Sequence, residues 1–457
     1  MTYTPQPHPD ADMLTAPGHE LPEATALEMA PPSSTGKVLS WAMWDWGTQP
    51  FATVITTFVF AVYITSKSFG EGNTPALALS TSTALAGLFV ALVAPVLGQN
   101  ADRTGRAVRN LRWQTWALVV ISASLFFVAP DPKWLWPGLI LLGVGSIISE
   151  LAGVNYNSTI EQVASPKNVG RVSGLGWGMG YLGGIVVLLV IYFLLIAPDT
   201  YENGMDVRYG MLICAAWTAL FTLPTFLVLK DQRTTSKAPA AGVIESYKGV
   251  ARTIRGLWRE QRSLFWFLIA SALFRDGLSG VFAFGAVIAS TTFGFTAGEV
   301  IIFGAAANIV AGLSTIAFGL LDDWIGPRTV ILISLFFLVV CGIGVFVMHD
   351  GGQKVFWVLG LVMCMFVGPA QSAARSFLAR LIPAGRSGEI FGLYATTGRA
   401  ISFLSPALFG VAISLGAALT GNQETQYFGI LGIVAVLFVG MIAMLFVRDR
   451  KADPQAV

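Results

Sequence analysis

The chain has little charge and few of the side chains that carry out chemistry. Charged residues make up 12% of 457 positions, compared with about 25% in a soluble domain, and there are three cysteines and three histidines. The cysteines lie far apart, and the sequence contains neither a G-x-x-x-x-G-K-[ST] phosphate loop nor a cluster of histidines or paired carboxylates. We therefore expect buried free thiols, no metal site, no cofactor, no nucleotide-driven pump and no hydrolytic enzyme.

Long apolar stretches dominate what is present. Hydrophobic residues make up 54% of the chain, and the mean hydropathy is +0.67. A transmembrane helix needs about 20 mostly apolar residues, and twelve stretches between residues 43 and 447 meet that requirement. The sequence predicts an all-α integral membrane protein with twelve transmembrane helices.

Basic side chains fall almost entirely in alternate loops. If the N-terminus is placed in the cytoplasm, the outer loops carry only Lys67, Lys133, Arg208 and Lys354, and the inner loops and tails carry the rest. This asymmetry predicts that both termini are cytoplasmic. The basic residues of the inner loops are then explained by the orientation of the chain against anionic membrane lipid, so nucleic-acid binding is not expected. We expect a multi-pass protein of the cell membrane.

Two breaks in the apolar pattern divide the chain. The first ~36 residues are rich in proline and acidic residues, which predicts a disordered cytoplasmic tail. Residues 231–262 place apolar and basic side chains on opposite faces of a helix, which predicts an amphipathic helix on the inner membrane surface, or a plain tether between two halves. The predicted regions are a tail over 1–36, a six-helix half over 37–230, a linker over 231–262, a second six-helix half over 263–447 and a tail over 448–457.

One short polar loop occurs twice, once in each half. The first copy is GQNADRTGR over 98–106, and the second is GLLDDWIGPR over 319–328. When Asp102 is aligned with Asp323, Gly98 aligns with Gly319 and Gly105 aligns with Gly326. A polar loop repeated at matching places between apolar spans indicates a duplicated membrane transporter with two pseudo-symmetric halves.

This doubled loop resembles the cytoplasmic loop of the major facilitator superfamily, which lies between its second and third helices and again between its eighth and ninth. Further segments resemble one branch of that superfamily, the autophagy-related vacuolar amino-acid effluxers and their bacterial relatives. These segments are SWAMWDWGTQPFATVI (40–55), YNST (156–159), VSGLGWGMGYLGG (172–184), FRDG (274–277) and FGLYATTGR (391–399). The resemblance implies the major facilitator fold, in which two six-helix halves enclose a central cavity.

The resemblance also implies a role for the doubled loop. In the superfamily, the aspartate of each copy faces the N-terminus of the fifth or the eleventh helix in the opposite half, and here those helices begin near Arg171 and Arg386. A helix N-terminus carries partial positive charge, so we expect these contacts to close the cytoplasmic side while the outer side is open. The second copy is the weaker match, because Asp322 is a competing acid and Pro327 replaces a basic residue. The expected gating residues are Gly98, Asp102, Arg103, Gly105, Arg106, Gly319, Asp323, Gly326 and Arg328.

Charges inside the spans point to a binding site, since each costs a few kcal/mol at mid-membrane unless it is paired or solvated. Asp276 and Arg275 form the first candidate, as part of a central site or a proton relay, because an aspartate and an arginine together suit a zwitterionic amino acid. Asp45 in the first span is the second candidate. The six charges are Asp45, Glu150, Arg275, Asp276, Arg375 and Arg399.

Structural ion pairing is the alternative for these charges. Glu150 is expected to pair with Arg375 or with Arg399. These three, together with Arg171, lie nearer the inner ends of their spans, where gating or helix anchoring is expected.

A few uncharged polar residues complete the candidate site. Gln49 follows the first-span aspartate by one turn, and Tyr156 and Asn157 belong to the YNST segment. The last two are expected either to line the floor of the cavity or to bond between helices. An interfacial belt is expected for the aromatic residues Trp41, Trp44 and Trp46.

The sequence thus predicts a secondary transporter, not an enzyme, that moves a small polar metabolite by alternating access. Amino acids are the expected cargo, with or without a coupled proton or other ion, and a monomer is favoured. Two alternatives stay open. One is an exporter of drugs or other hydrophobic compounds, and the other is a sensor or scaffold that keeps the fold without transporting.

Overall fold

The computed structural model describes residues 25, 27–28, 33–198, 200–231, 243–422 and 425–448. The main helices in chain order are α1 (Thr35–Ile64), α2 (Thr74–Thr104), α3 (Ala107–Ser124), α4 (Leu135–Ser158), α5 (Val169–Ile191), α6 (Met205–Val228), α7 (Val243–Glu260), α8 (Arg262–Thr291), α9 (Ala297–Ile325), α10 (Pro327–Val347), α11 (Gln353–Leu381), α12 (Ser387–Ala400), α13 (Leu404–Thr420) and α14 (Gly429–Leu445).

These helices form a membrane bundle, as the apolar pattern predicts. In the part of the chain that the structure describes, eleven helical segments are long and apolar enough to cross a membrane, with α12 and α13 together forming one of them. The twelfth crossing is α3, whose apolar stretch is shortened by Arg109 and Arg112 near its start. It continues through a tight turn at Leu125–Phe127 and packs against α4 and α6. The predicted all-α fold is confirmed.

The two halves meet along a small set of helices. The most extensive packing between them joins α2 to α12 and α5 to α9, with further contacts of α5 with α11 and of α4 with α12. The repeated loops over 98–106 and 319–328 lie on the same face of the bundle, where these packed pairs end. We call this the loop face.

An irregular stretch interrupts α1. Residues Phe51–Phe58 form wider π-type turns directly after Pro50. Because proline has no N–H, it cannot bond to the carbonyl of Trp46 four residues earlier. That carbonyl instead accepts a hydrogen bond from the indole of Trp217 on α6, at 3.2 Å. The carbonyl left without its helical partner at Pro50 is therefore satisfied by a side chain from another helix.

The eleventh span is also broken, between Ala400 at the end of α12 and Leu404 at the start of α13. Pro406 explains the break, since it removes the N–H that would bond to the carbonyl of Ser402. Proline is tolerated in the first turn of the new helix, where N–H groups lack intrahelical partners in any case.

The segments outside the bundle are described only in part. Most of the predicted N-terminal tail and nearly all of the C-terminal tail lie outside the described residues. Of the residues described within 1–36, Thr25 pairs with the backbone of Pro383 and Leu27 is only 1% exposed, so this short part of the predicted tail packs on the bundle. An apolar side chain gains free energy by such burial. In the linker, α7 is an 18-residue helix that packs on α2 and α8.

Candidate functional site

A polar and aromatic centre is formed in the first half by α1 and α4. The hydroxyl of Tyr156 lies 3.0 Å from Oδ2 of Asp45, to which it donates a hydrogen bond. The Tyr156 ring is 1% exposed and is stacked between the indoles of Trp41 and Trp44, at centroid distances of 4.4 and 4.2 Å. The carboxylate of Asp45 keeps 20% exposure. The aromatic stack thus holds the carboxylate in position while leaving part of it exposed.

Arg375 enters this centre from α11 of the second half. Its Nη1 lies 3.4 Å from Oδ2 of Asp45 and donates to Oδ1 of Asn157 at 3.1 Å. Its Nε donates to the hydroxyl of Ser173 at 2.9 Å, and its Nη2 donates to the carbonyl of the same residue at 2.7 Å. The guanidinium also lies over the rings of Trp41 and Trp177, at 5.0 and 5.7 Å. With 3% exposure, it is a desolvated cation whose hydrogen bonds run to groups of the opposite half.

A glycine of α5 makes room for this ion pair. A Cβ atom on Gly176 would lie 2.7 Å from Oδ2 of Asp45 and 2.8 Å from Nη2 of Arg375. Gln49 packs one turn further along α1, where its side-chain amide lies against Gly180. The glycines of α5 therefore allow α1 and α11 to approach each other across α5.

Arg275 and Asp276 do not form one cluster. The guanidinium of Arg275 donates to the carbonyl of Tyr394 on α12 at 2.9 Å and lies over its ring at 3.8 Å. The carboxylate of Asp276 is buried and accepts a hydrogen bond from the backbone N–H of Ser405 at 2.7 Å. Consecutive residues on a helix point about 100° apart, so the two side chains hold opposite sides of the break between α12 and α13. The two side chains thus bond to different residues, and a shared role of Arg275 and Asp276 in a central site or a proton relay stays a prediction.

A second ion pair between the halves joins Glu150 on α4 to Arg399 on α12. Of the two partners expected for Glu150, the structure selects Arg399, because Arg375 is engaged by Asp45. Both side chains of the Glu150–Arg399 pair are about one third exposed. It is therefore more accessible than the Asp45–Arg375 pair.

On the loop face, the first repeated loop binds the N-terminus of α12. The carboxylate of Asp102 accepts hydrogen bonds from the N–H groups of Gly388 and Glu389, both at 2.8 Å. A carboxylate in this position is stabilised by the unpaired N–H groups and the dipole of the helix. Gly98, one turn earlier, lets the backbones touch, because a Cβ there would lie 2.0 Å from the carbonyl oxygen of Gly388.

The second loop makes the corresponding contact with α5. The carboxylate of Asp323 accepts from the N–H groups of Gly170 and Arg171 at 2.7 and 3.1 Å, and it pairs with the Arg171 side chain at 3.0 Å. Gly319 packs directly on Gly174, as Gly98 packs on α12. The competing acid Asp322 is turned into its own half, where it bonds to Ser376 and Arg380.

The remaining loop residues hold turns and helix ends. Gly105 and Gly326 have positive φ angles of 63° and 87° and end α2 and α9. Arg328 donates to the carbonyl of Leu445 at the end of α14. Arg103 is partly exposed and Arg106 is exposed within the first loop.

The linker helix adds a third contact on this face. Thr253 of α7 donates to Oε1 of Glu389 at 2.6 Å and accepts from Nη2 of Arg386 at 2.7 Å. Gln99 of α2 donates to the same carboxylate oxygen at 2.8 Å. One residue at the start of α12, Glu389, is thereby tied to α2 and α7 together.

A model of the family described as "Vacuole effluxer Atg22 like" matches residues 62–457. The chain belongs to this family. One relative of this Atg22-like protein is the "Uncharacterized MFS-type transporter YxiO" of Bacillus subtilis (strain 168), with 27% identity over 90% of the chain and 95% of YxiO. Another is "Autophagy-related protein 22-1" of Neosartorya fischeri, with 24% identity over 63% of the chain. The alignment covers 50% of that fungal protein.

Solved structures place the Atg22-like protein in the major facilitator fold. The proton:xylose symporter XylE superimposes with a TM-score of 0.69 at 13% identity, over 90% of this chain and 95% of XylE. A bacterial homologue of the iron transporter ferroportin in an outward-facing state gives a TM-score of 0.64 at 16% identity, over 90% and 98%. These identities establish the fold alone. With the family match, they confirm a multi-pass secondary transporter of the major facilitator superfamily.

Two parts of the site in this Atg22-like transporter are absent from the sequence-based prediction. Trp41 and Trp44 are buried in the aromatic stack, so the expectation of an interfacial belt is wrong for both. Ser173 and Trp177 beside Arg375 carry no sequence signal apart from their place in the glycine-rich segment of α5. The sequence signal for Arg375 is its charge inside an apolar span. That charge indicates a functional or paired residue, but it does not identify the partner.

Proposed function

We propose that this Atg22-like transporter carries amino acids, which bind between its halves at the Asp45–Arg375 pair. One observation carries the proposal: the pair presents a carboxylate and a guanidinium 3.4 Å apart. These groups are the complements of the ammonium and the carboxylate of an amino acid. The sequence resemblance to amino-acid effluxers supports the same class of cargo. We further propose the cell membrane as its location, on the basis of the bacterial relative, with both termini in the cytoplasm.

The different exposures of Asp45 and Arg375 predict the order in which the two charged groups of the cargo bind. Asp45 is accessible and receives the cargo ammonium first, whereas Arg375 is nearly enclosed. The cargo carboxylate then takes the position at Nη1 of Arg375 that Asp45 now occupies. The cargo then bridges the halves in place of the ion pair, and it shifts the equilibrium toward the arrangement of the halves that it binds more tightly.

Separation of the halves on the loop face completes the transport cycle. In the described state, Asp102 and Asp323 hold this face closed at two places. These contacts cross between the halves, so rocking of one half on the other breaks both. Glu150 and Arg399 also cross the interface and are proposed to act as a further gating pair.

Thermal stabilisation of the purified chain tests the cargo class. A ligand that binds only the folded state raises the melting temperature in a dose-dependent way. We expect a shift with one or more amino acids from a panel that also contains peptides, sugars, organic acids and drugs. Counterflow of the same amino acid in proteoliposomes then shows that binding leads to transport.

Two variants and two matched controls test the site. Asp45→Asn and Arg375→Gln should abolish the shift, whereas Asp350→Asn and Arg109→Gln change the same charges at exposed positions and should retain it. An amino-acid shift that survives in both site variants would refute the site but not the cargo. A shift with drugs and none with amino acids would favour the exporter of hydrophobic compounds.

A further inference from the structure

The linker helix α7 has two distinct surfaces. One stripe of side chains is buried against the bundle at helical spacing: Ser246, Val250, Thr253 and Leu257. The next stripe around the helix is apolar or aromatic but exposed: Ile244, Tyr247, Ile254 and Trp258. Beyond that lies an exposed basic stripe, formed by Lys248, Arg255 and Arg259.

The exposed apolar stripe continues the lipid-facing surface of the bundle. The hydroxyl of Tyr247 donates to the carbonyl of Leu92, a 54% exposed residue on the outer side of α2. Trp258 packs on Phe265 and on Trp266, which is 42% exposed on α8. Residues exposed on the outside of a membrane bundle face lipid, and tryptophan and tyrosine favour the depth of the headgroups. The α7 helix therefore lies at the membrane surface, beside α2 and α8.

We propose that the basic stripe of α7 binds anionic phospholipid headgroups of the surrounding bilayer. The apolar stripe fixes the depth of the helix, and Lys248, Arg255 and Arg259 then lie on the side next to it, at the level of the phosphates. A plain tether needs neither stripe. Because Thr253 on the buried stripe bonds to Glu389, a lipid that holds α7 in place also supports the closed loop face.

Native mass spectrometry of the full chain, in mixed micelles with equal amounts of phosphatidylglycerol and phosphatidylcholine, measures this binding directly. We expect the wild type to retain phosphatidylglycerol in preference. In the Lys248→Gln/Arg255→Gln variant, that preference should fall about thirtyfold, which corresponds to about 1 kcal/mol for each basic side chain at an anionic surface. All substituted positions are exposed, so the variant should elute as a folded, monodisperse protein.

The matched control is Arg109→Gln/Lys230→Gln, which removes one arginine and one lysine at exposed positions on the same face. It should keep most of the preference. Equal retention of the two lipids by the wild type, or an equal loss in both double variants, would overturn the proposal. The assay contains no cargo, so its result is independent of the proposed amino-acid transport.

Discussion

Arg375 is held by a set of bonds that only a guanidinium can make. It uses Nε, Nη1 and Nη2 to reach Ser173, Asn157 and Asp45. Lysine keeps the charge but is a single point donor without the planar fork. Arg375 therefore contributes a planar set of hydrogen-bond donors as well as a positive charge.

We expect Arg375→Lys to lower counterflow of the bound amino acid at least tenfold. Loss of two or three buried hydrogen bonds at about 1 kcal/mol each should also lower the melting temperature. Arg109→Lys, at an exposed position, is the matched control. Wild-type counterflow in Arg375→Lys would mean that the site needs only a positive charge.

Asp276 supports the broken eleventh span. Its carboxylate accepts from an N–H group in the first turn of α13, as a helix-capping side chain does. Asp276→Ala should therefore reduce stability by about 1–2 kcal/mol, whereas Asp276→Asn, which keeps an acceptor oxygen, should remain close to the wild type. Thermal unfolding of both variants measures this. If Asp276→Asn lost cargo binding while its melting temperature stayed unchanged, the predicted direct role of Asp276 in the site would be supported.

The sequence does not predict which charged residues of the site pair with each other. The charges at 45 and 375 are each conspicuous in an apolar span, but no periodicity links positions 330 residues apart. The same limit applies to Trp41 and Trp44, since a buried stack and an interfacial belt have the same composition. The contact partners of Asp102 and Asp323 were expected only through the family resemblance.

Close helix packing on the loop face makes α2 sensitive to a single methyl group. A Cβ on Gly98 would overlap the carbonyl of Gly388, whereas one on Gly153 of α4 would meet nothing within 4 Å. Gly98→Ala should therefore separate α2 from α12 and favour an open loop face, and Gly153→Ala should not. Spin labels at Lys167→Cys and Arg448→Cys, with the three buried native cysteines replaced, report the distance between halves.

The expected result is a longer label-to-label distance for Gly98→Ala alone. An unchanged distance in both glycine variants would show that the loop face absorbs the extra methyl group without opening.

The elements themselves follow from the sequence to different degrees. The spans are predictable, because a run of about 20 apolar residues is typical of a transmembrane helix. The sequence does not predict the break at Ala400–Leu404, because the apolar run continues through it, although Pro406 is a visible signal. The π-type turns follow Pro50, but no local pattern reveals that the indole of Trp217 on α6 bonds to the Trp46 carbonyl.

Across the whole molecule, two equivalent contacts close one face. Asp102 binds α12, and Asp323 binds α5, so each aspartate of one half caps a helix of the other. A charge at a helix N-terminus contributes about 0.3–2 kcal/mol. We expect Asp102→Ala and Asp323→Ala each to raise the open population modestly, and the double variant to raise it by more than either.

The same spin-label pair measures this series, with Asp350→Ala as an exposed control. A double variant no more open than the single variants would show that one contact alone controls the face. Closure by both loops agrees with a duplicated chain. The contact between α7 and Glu389 is not part of this duplication, and it makes the two halves unequal on the loop face.

The absence of a side chain at Gly176 has an evolutionary consequence. The Asp45–Arg375 pair exists only because α5 leaves a gap there, within 2.8 Å of both side chains. A relative that carries alanine or a larger residue at this position should therefore also have lost one of the two charges. We therefore expect these three positions, from three helices, to covary, and a comparison of many relatives can test this without any measurement of transport.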